Sequence, residues 1–312
     1  MGTPDFAATI LRSLVMWEGC RLAAVYTQPD RPAGRGYALK APPVKDLAVA
    51  EGIPVRQPPH FKAEAVLAEL RRFAPDYLVV AAYGLILPQH VLDIPRRAAI
   101  NAHASLLPFL RGAAPIHRAI MNGLETTGVS IMRMEAGLDT GPVLLQRAIA
   151  ISPAETAGSL HDVLASLAAP AVVAAIEGLE AKMLTPVPQD DSRATYAPKL
   201  TKADGLLEFS QPLARIDAHV RGVTPWPGAY TRLVRGNKEM LPVGIGAGRM
   251  LSALDAAVPA GTILGIRDDC LAVACADGVY GIHTLRPQGR KIMDAASFSN
   301  GYLQAGTGMR FG

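Results

Sequence analysis

Short apolar runs alternate with helical patterns through the first 180 residues, and this alternation limits the possible folds more than any other feature of the sequence. Strand-like runs are found at 21–28, 77–84 and 97–103. Apolar residues recur at helical spacing in 61–73 and in 156–183, and Pro170 is expected to bend the second helix. Strands that alternate with helices predict a mainly parallel sheet with helices on both faces. We therefore expect an α/β fold with a Rossmann-like arrangement.

The pattern changes in the second part of the chain. Residues 189–205 are rich in proline, charge and small polar side chains, which is typical of a linker. The runs GAYTRLV, GTILGI, CLAVACA and GVYGIHTLRP then follow, separated by Gly, Pro and Asp. Short strands of this kind predict a small antiparallel, OB-like β-barrel. We expect a first domain over 1–188, a linker over 189–205 and a second domain over 206–312.

Composition argues against several classes of protein. The longest apolar run, 77–87, has 11 residues, whereas a membrane span needs about 20. The first residues, MGTPDFA, show no basic segment before an apolar one, so no secretory signal is predicted. Cys20, Cys270 and Cys275 form no C-x-x-C pair, which argues against a disulfide scaffold or a structural zinc site. We expect a cytoplasmic protein without a membrane partner, whose net charge of +4 permits a polyanionic partner.

The stretch NAHASLLPFLRGAAP begins with polar residues that suggest a site. Asn101 and His103 lie two residues apart at the end of a predicted strand, and ligands of α/β folds bind at the carboxyl ends of strands. An amide donor stabilises an oxyanion, and an imidazole exchanges protons near neutral pH. Asp139, in a turn flanked by glycines, is a candidate to orient the imidazole. This set suits transfer of an acyl group to an amine.

Spacing alone leaves other interpretations open. A histidine at a strand end is often a hydrogen-bonded structural residue, and Glu135 and Asp162 are alternative partners for His103. Ser105 is an alternative nucleophile, although the sequence around it lacks the flanking glycines of a nucleophile elbow.

Several separated motifs resemble those of the folate-dependent formyltransferases. INAHASLLPFLRGAAPI and GVSIMRMEAGLDTGPVL reproduce the N-x-H, S-L-L-P and G-x-D-T-G elements of that family in order and spacing. Further resemblance, in TQPDRPAGRG, AAYGLILP, TYAPKLTKADG and PWPGAYT, extends over nearly the whole chain. The resemblance implies formyl transfer from 10-formyltetrahydrofolate, as a co-substrate, to the α-amino group of methionine esterified to initiator tRNA. It implies no metal and no permanently bound cofactor.

The resemblance also implies roles for individual residues. Asn101 and protonated His103 would stabilise the tetrahedral oxyanion. Asp139 would keep His103 charged and help to move the proton from the amine to the departing folate nitrogen. The expected folate contacts are Ser105, Leu106, Leu107, Pro108, Tyr83 and Gly84. For most residues of 79–88, plain core packing is the stronger alternative.

Two basic segments are candidates for the tRNA interface. Composition alone favours a solvated loop at 28–45, whereas the resemblance implies a loop that grips the end of the acceptor stem. In the second domain, RPQGRK is expected to contact the tRNA backbone, and a solvated turn is the alternative. The expected tRNA-binding residues are Arg31, Arg35, Lys40, Lys45, Arg286, Arg290 and Lys291. Arg35 is the first choice, because a guanidinium serves both phosphates and base edges.

Other functions and one departure from the family complete these expectations. The alternatives are a folate-dependent formyltransferase that acts on a small amine, a formyl hydrolase that uses water, and a non-catalytic RNA-binding protein. Relatives carry a hydrophobic strand before G-T-P-D-F, whereas Met1 directly precedes Gly2 here. We expect the natural product to start upstream, because loss of a central strand would leave its neighbours unpaired. We expect a monomer.

Overall fold

The computed structural model describes residues 1–33, 38–236, 238–253, 258–303 and 309–312. Its helices, in chain order, are α1 Asp5–Met16, α2 Pro43–Ala50, α3 Glu64–Arg72, α4 Gln89–Leu92, α5 Pro115–Met121, α6 Ala157–Glu180, α7 Leu213–Gly222 and α8 Ala295–Tyr302. Its strands are β1 Val25–Tyr26, β2 Arg31–Ala33, β3 Ala38–Lys40, β4 Val55–Arg56, β5 Tyr77–Val80, β6 Ala98–His103, β7 Thr126–Arg133, β8 Val143–Ala150, β9 Ala229–Arg235, β10 Lys238–Ile245, β11 Gly248–Ser252, β12 Ile263–Arg267, β13 Cys270–Ala274, β14 Val279–Ile282, β15 Thr284–Pro287, β16 Met293–Asp294 and β17 Met309–Phe311.

The chain divides into two compact units. The first consists of Met1–Pro115, Thr126–Ala150 and His161–Ala197. The second consists of Ile116–Glu125, Ile151–Leu160 and Pro198–Gly312. The short segments join the second unit because they bond to it: the Thr224 carbonyl accepts from Gly158 at 3.0 Å, and the Arg221 side chain donates to the Glu155 carbonyl at 2.9 Å. The change of composition near 189–205 does not predict that residues 116–125 and 151–160 belong to the second unit.

The first unit is a mixed α/β structure, as predicted. Its four-stranded sheet has the order β5-β6-β7-β8, and β1 pairs in parallel with β4. The β5–β6 pair is parallel, whereas β6–β7 and β7–β8 are antiparallel. The β7–β8 connection spans only residues 134–142, and so short a link joins antiparallel neighbours because a parallel pair needs a longer crossover. The sheet is therefore parallel on one side of β6 and antiparallel on the other.

Helix α3 illustrates how the apolar pattern positions the elements. Leu67 and Leu70 are buried, whereas Glu64 and Arg71 face solvent and form an ion pair at 2.6 Å. Residues three and four apart lie on one face of a helix, so the apolar stripe packs and the charged stripe does not. Leu67 and Leu70 join a core cluster that includes Leu78 and Val80 of β5.

Helix α6 is long and apolar enough to cross a membrane, judged by length and composition alone. Its most apolar window has a mean hydropathy of 1.6, and 44% of that window is buried inside the protein. Leu164, Ala168 and Val172, all within the first unit, are fully buried. The helix continues through Pro170. Its apolar side chains thus supply core packing for the fold.

The beginning of the chain lies between β1 and β5. Gly2 donates a hydrogen bond to the Tyr26 carbonyl, and Ala81 donates one to the Met1 carbonyl, both at 3.0 Å. The amino group of Met1 is buried, and burial lowers its pKa to about 5. Residues of both strands also line a cavity of about 840 Å³. None of Asn101, His103 and Asp139 lines this cavity.

The second unit is rich in β-structure. One sheet has the order β16-β15-β10-β9-β17 and another the order β11-β14-β13-β12, and the pairs within them are antiparallel. An isolated bridge between Thr262 and Arg310 links the two sheets. Phe209 and Phe298 both contact Phe311, with ring centroids 5.7 and 6.3 Å apart. These aromatic rings fill part of the core of the second unit.

Candidate active site

Asn101 and His103 occupy the carboxyl end of β6. They are separated by one residue, so both side chains project from the same face of the strand. In the sheet, Asn101 pairs with Val80 of β5 and with Met132 of β7, and His103 pairs with Ser130 of β7. Strands on both sides therefore fix the direction of the Asn101 side chain, and β7 fixes that of His103.

Asp139 approaches these residues from the β7–β8 loop. Its backbone has a φ of +55°, a left-handed conformation that few non-glycine residues adopt. The carboxylate is 14% exposed, with Oδ2 3.6 Å from His103 Nδ1 and Oδ1 3.5 Å from Asn101 Nδ2. Tertiary folding thus brings the three predicted residues together.

The ring of His103 lies between two acceptors. Its Nε2 is 2.9 Å from the Leu110 carbonyl, and its Nδ1 faces Asp139. A neutral imidazole has one donor nitrogen, whereas the protonated ring has two. Nε2 is therefore within hydrogen-bond distance of the Leu110 carbonyl, and Nδ1 has the Asp139 carboxylate beside it.

The two alternative partners for His103 are both exposed to solvent. Asp162 is exposed and contacts His161 at 2.9 Å. Glu135 is exposed to solvent. Ser105, the alternative nucleophile, is fully buried, and its hydroxyl donates to the Phe109 carbonyl at 2.6 Å. This geometry argues against a role as nucleophile. Ser105 closes a turn.

The segment Ser105–Pro108 forms a turn fastened to the antiparallel side of the sheet. The hydroxyl of Ser130 donates to the Ser105 carbonyl at 2.7 Å and accepts from the Leu107 amide at 3.0 Å. Gln146 of β8 donates to the Leu107 carbonyl at 2.9 Å. Leu107 is buried, whereas Leu106 and Pro108 remain half-buried. Sequence reasoning missed Ser130 and Gln146, because isolated polar residues on strands carry no signal.

Tyr83 and Gly84 begin the loop that follows β5. Tyr83 is 2% exposed and packs against Phe61, so its ring belongs to the core and its burial raises the pKa of the phenol. Gly84 is exposed and has a φ of +82°. Ile86, farther along the loop, is 95% exposed. Backbone and Ile86, rather than the Tyr83 side chain, are the accessible parts of this segment.

The basic residues of the first unit differ in their availability. Arg31 and Lys40 pair across the β2–β3 hairpin and are exposed, and Arg31 also donates to Gln28 at 3.1 Å. Lys45 forms an ion pair with Asp30 at 2.6 Å. Gln57 and Lys45 both donate hydrogen bonds to Asp30 and lower the pKa of that carboxyl. Arg35 lies outside the described residues.

The basic residues of the second unit lie at the end of β15 and in the turn after it. Arg286, Arg290 and Lys291 are all exposed. Arg286 is paired with Gly244 of β10, which fixes its backbone on the sheet. All three cations are therefore accessible at the surface of the second unit.

Arg111 and Gln189 support the loops around Asp139, and sequence reasoning assigned neither of them. Arg111 is 2% exposed, and its Nη2 donates to the side-chain oxygen of Gln189 at 2.8 Å. Gln189 Nε2 donates to the carbonyls of Asp139 and Gly141, at 2.8 and 2.6 Å. Gln189 belongs to the segment predicted as a linker, so its composition concealed the role.

Gly112 supplies a backbone donor to the same carboxylate. Its amide lies 2.8 Å from Asp139 Oδ2. Its φ is +115°, and a Cβ at this position would lie 2.8 Å from the Ala197 carbonyl oxygen. Only glycine combines this conformation with this close approach.

Among the described residues, no group of three or more His, Cys, Asp and Glu side chains is placed to hold a metal ion.

Comparison with known proteins identifies the family. The sequence matches the family described as formyl transferase over residues 1–176, and the formyl transferase C-terminal domain over residues 199–303. It is 50% identical over 303 residues to a methionyl-tRNA formyltransferase of Nitratidesulfovibrio vulgaris, covering 97% of this chain and 92% of the relative.

Solved structures share the fold at lower identity. The N-formyltransferase of Helicobacter canadensis, solved with folinic acid and dTDP-3-aminofucose, is 15% identical, with a TM-score of 0.64 over 90% of this chain and 96% of that one. HypX of Aquifex aeolicus, solved with tetrahydrofolic acid, is 19% identical, with a TM-score of 0.58 over 83% of this chain and 44% of HypX. The two domain matches and the half-identical relative have one consequence: this chain is a member of the formyl transferase family.

Proposed function

We propose that this protein transfers the formyl group of 10-formyltetrahydrofolate to the α-amino group of methionine on initiator tRNA. The observation that carries the proposal is the convergence of Asn101, His103 and Asp139 at the end of β6. The curated relative named methionyl-tRNA formyltransferase, half identical over nearly the full chain, favours this acceptor over a small amine.

The reaction follows from the chemistry of the three side chains. The amine nitrogen attacks the formyl carbon, and the carbonyl electron pair moves to oxygen. The Asn101 amide donates a hydrogen bond to that oxyanion, and protonated His103 places positive charge beside it. The bond from the formyl carbon to the folate nitrogen then breaks. The proton lost by the amine passes to that nitrogen with the help of Asp139, so charge is balanced at each step.

Folate is proposed to bind over the Ser105–Pro108 turn and the loop after β5. Leu106 and Pro108 are partly accessible there, and the exposed Gly84 offers backbone to a flat heterocycle. Because Val80 of β5 pairs with Asn101 of β6, the loop after β5 starts beside the catalytic amide. Because the Tyr83 side chain is buried in the core, its hydroxyl is not proposed as a folate contact.

The tRNA is proposed to contact basic residues on each unit. Arg31 and Lys40 lie on the exposed β2–β3 hairpin, and Arg35 remains a prediction that lies outside the described residues. Lys45 is a weaker candidate because Asp30 already neutralises it. In the second unit, Arg286, Arg290 and Lys291 are proposed to contact phosphates without reading sequence. We assign the whole reaction to a monomer in the cytoplasm.

Formyl transfer from labelled 10-formyltetrahydrofolate to methionyl initiator tRNA tests the function. Parallel reactions contain uncharged tRNA, glycinamide ribonucleotide, an amino-sugar nucleotide or water alone. Label in the charged tRNA alone is the expected result. Preferential labelling of a small amine, or release of formate with every acceptor, would contradict the proposal.

A further inference from the structure

The buried side chain of Arg111 has no role in the chemistry described above, although burying a cation is costly unless it is well paired. Its guanidinium donates from Nε and Nη2 to the single side-chain oxygen of Gln189, at 3.1 and 2.8 Å. Nη2 also donates to Asp191 at 2.7 Å. Asp191 is 79% exposed, so Gln189 is the partner that faces inward.

Gln189 connects this cation to the loop that carries Asp139. Its oxygen accepts from Arg111, while its nitrogen donates to the carbonyls of Asp139 and Gly141. Both ends of the amide are thus used, and their orientation is fixed: the oxygen must face Arg111 and the nitrogen must face the two carbonyls. A carboxylate in place of the amide would still accept from Arg111, but it could not donate to the carbonyls of Asp139 and Gly141.

The segment that contains Gln189 also bonds to the loop that contains Arg111. Thr195 accepts from the Arg111 amide at 2.9 Å, and Ala197 donates to the Arg111 carbonyl at 2.7 Å. The backbone amide of Gly112, which follows Arg111 in the chain, donates a hydrogen bond to the Asp139 carboxylate. Segment 189–197 therefore fastens the Arg111 loop and the Asp139 loop to each other.

We propose that Gln189, held by Arg111, is a positioning residue that fixes the Asp139 loop in the geometry required for catalysis. This inference rests on the proposed formyl transfer. Asp139 has a left-handed backbone, and a left-handed residue persists only where surrounding contacts impose it. The hydrogen bond from Gln189 to the Asp139 carbonyl is such a contact.

Gln189→Glu separates this role from general stability. The carboxylate accepts from Arg111, so the buried cation keeps a partner, but it cannot donate to the Asp139 and Gly141 carbonyls. We expect kcat for formyl transfer to fall roughly 100-fold, since small displacements of catalytic groups cost about that much. KM for either substrate should not change, because the lost contact acts in the transition state. Gln211→Glu, the same change at an exposed site of the second unit, is the matched control.

Hydrogen–deuterium exchange supplies a measurement that does not depend on the substrate. In Gln189→Glu we expect faster exchange in peptides that cover 134–142, with unchanged exchange outside this loop and the two segments bonded to it, 110–112 and 189–197. The unfolding temperature should be like that of the control. Wild-type kcat, or equal exchange in 134–142, would overturn the inference. So would faster exchange throughout the first unit, which would make the role structural. Should wild-type protein fail to formylate methionyl-tRNA, the proposed function fails, and exchange in 134–142 still decides the positioning role.

Discussion

The Oδ2 atom of Asp139 lies 3.6 Å from Nδ1 of His103, so an imidazole at the end of β6 meets a carboxylate from the β7–β8 loop. The β7–β8 loop leaves β7 at Arg133, which pairs with Ile100 of β6, and the course of the loop then brings Asp139 back to Asn101 and His103. The proposed chemistry depends on this contact.

Removal of either partner should strongly reduce turnover without preventing tRNA binding. We expect His103→Ala and Asp139→Ala each to lower kcat by about 10²–10⁴-fold, the usual contribution of positioned acid–base groups. Asn101→Ala should lower kcat by about 10²–10³-fold through loss of an oxyanion donor. Single-turnover formyl transfer and a filter-binding assay with tRNA measure the two effects. Retained turnover in both the His103 and the Asp139 variants would rule out the mechanism.

Ser130→Ala should loosen the turn proposed to bind folate. The hydroxyl is fully buried and bonds to Ser105 and Leu107, so its removal leaves the Leu107 amide without this acceptor. An unsatisfied buried group costs about 1–3 kcal/mol of unfolding free energy. We expect a loss of that size in urea titration, together with a raised KM for the folate. An unchanged KM would separate the turn from the folate site.

The basic residues of the hairpin should differ in their effect on tRNA affinity. Arg31→Ala and Lys40→Ala should each weaken binding and reduce the slope of log affinity against log salt by about 0.7–0.9, as for one lost phosphate contact. Lys45→Ala should have a smaller effect, because Asp30 already pairs with the ammonium group. Binding measured between low and moderate salt checks this order. If the Lys45→Ala variant bound tRNA more weakly than both other variants, this order would be contradicted.

Asp204 should make the second unit sensitive to acid. The Thr201 amide and hydroxyl and the Arg118 guanidinium donate to this carboxylate, and these bonds lower its pKa from 3.8 to about 2. The unfolded chain therefore binds more protons than the folded one between these values. The resulting stabilisation is complete above about pH 4 and disappears as the pH falls through 2. Asp204→Asn should cost about 1–2 kcal/mol at pH 6 and much less near pH 2.

Urea unfolding at several pH values measures this difference. Asp217→Asn is a useful comparison, since Asp217 also pairs with an arginine, Arg221, at 2.7 Å. An Asp204 effect that stays constant from pH 6 to pH 2 would show that the carboxylate does not titrate as expected.

The amino-acid sequence determined the local elements and the identity of the reactive groups. Alternation of apolar runs with helical periods predicted β5, β6, α3 and α6, because burial of an apolar face follows from spacing alone. The position of Asn101 and His103 at a strand end followed from the same pattern. The choice of Asp139 over Glu135 and Asp162 did not, since distances between separate segments are not encoded in spacing.

Tertiary structure decided the contacts that cross the first unit. It made β7 and β8 antiparallel, placed Ser130 and Gln146 under the Ser105–Pro108 turn, and used Gln189 of the expected linker as a brace. A hydrogen bond depends on a few tenths of an ångström and on direction, and both are set only when distant segments pack. The sequence by itself therefore specified which chemistry is present, and the packing of the chain specified which groups can act together.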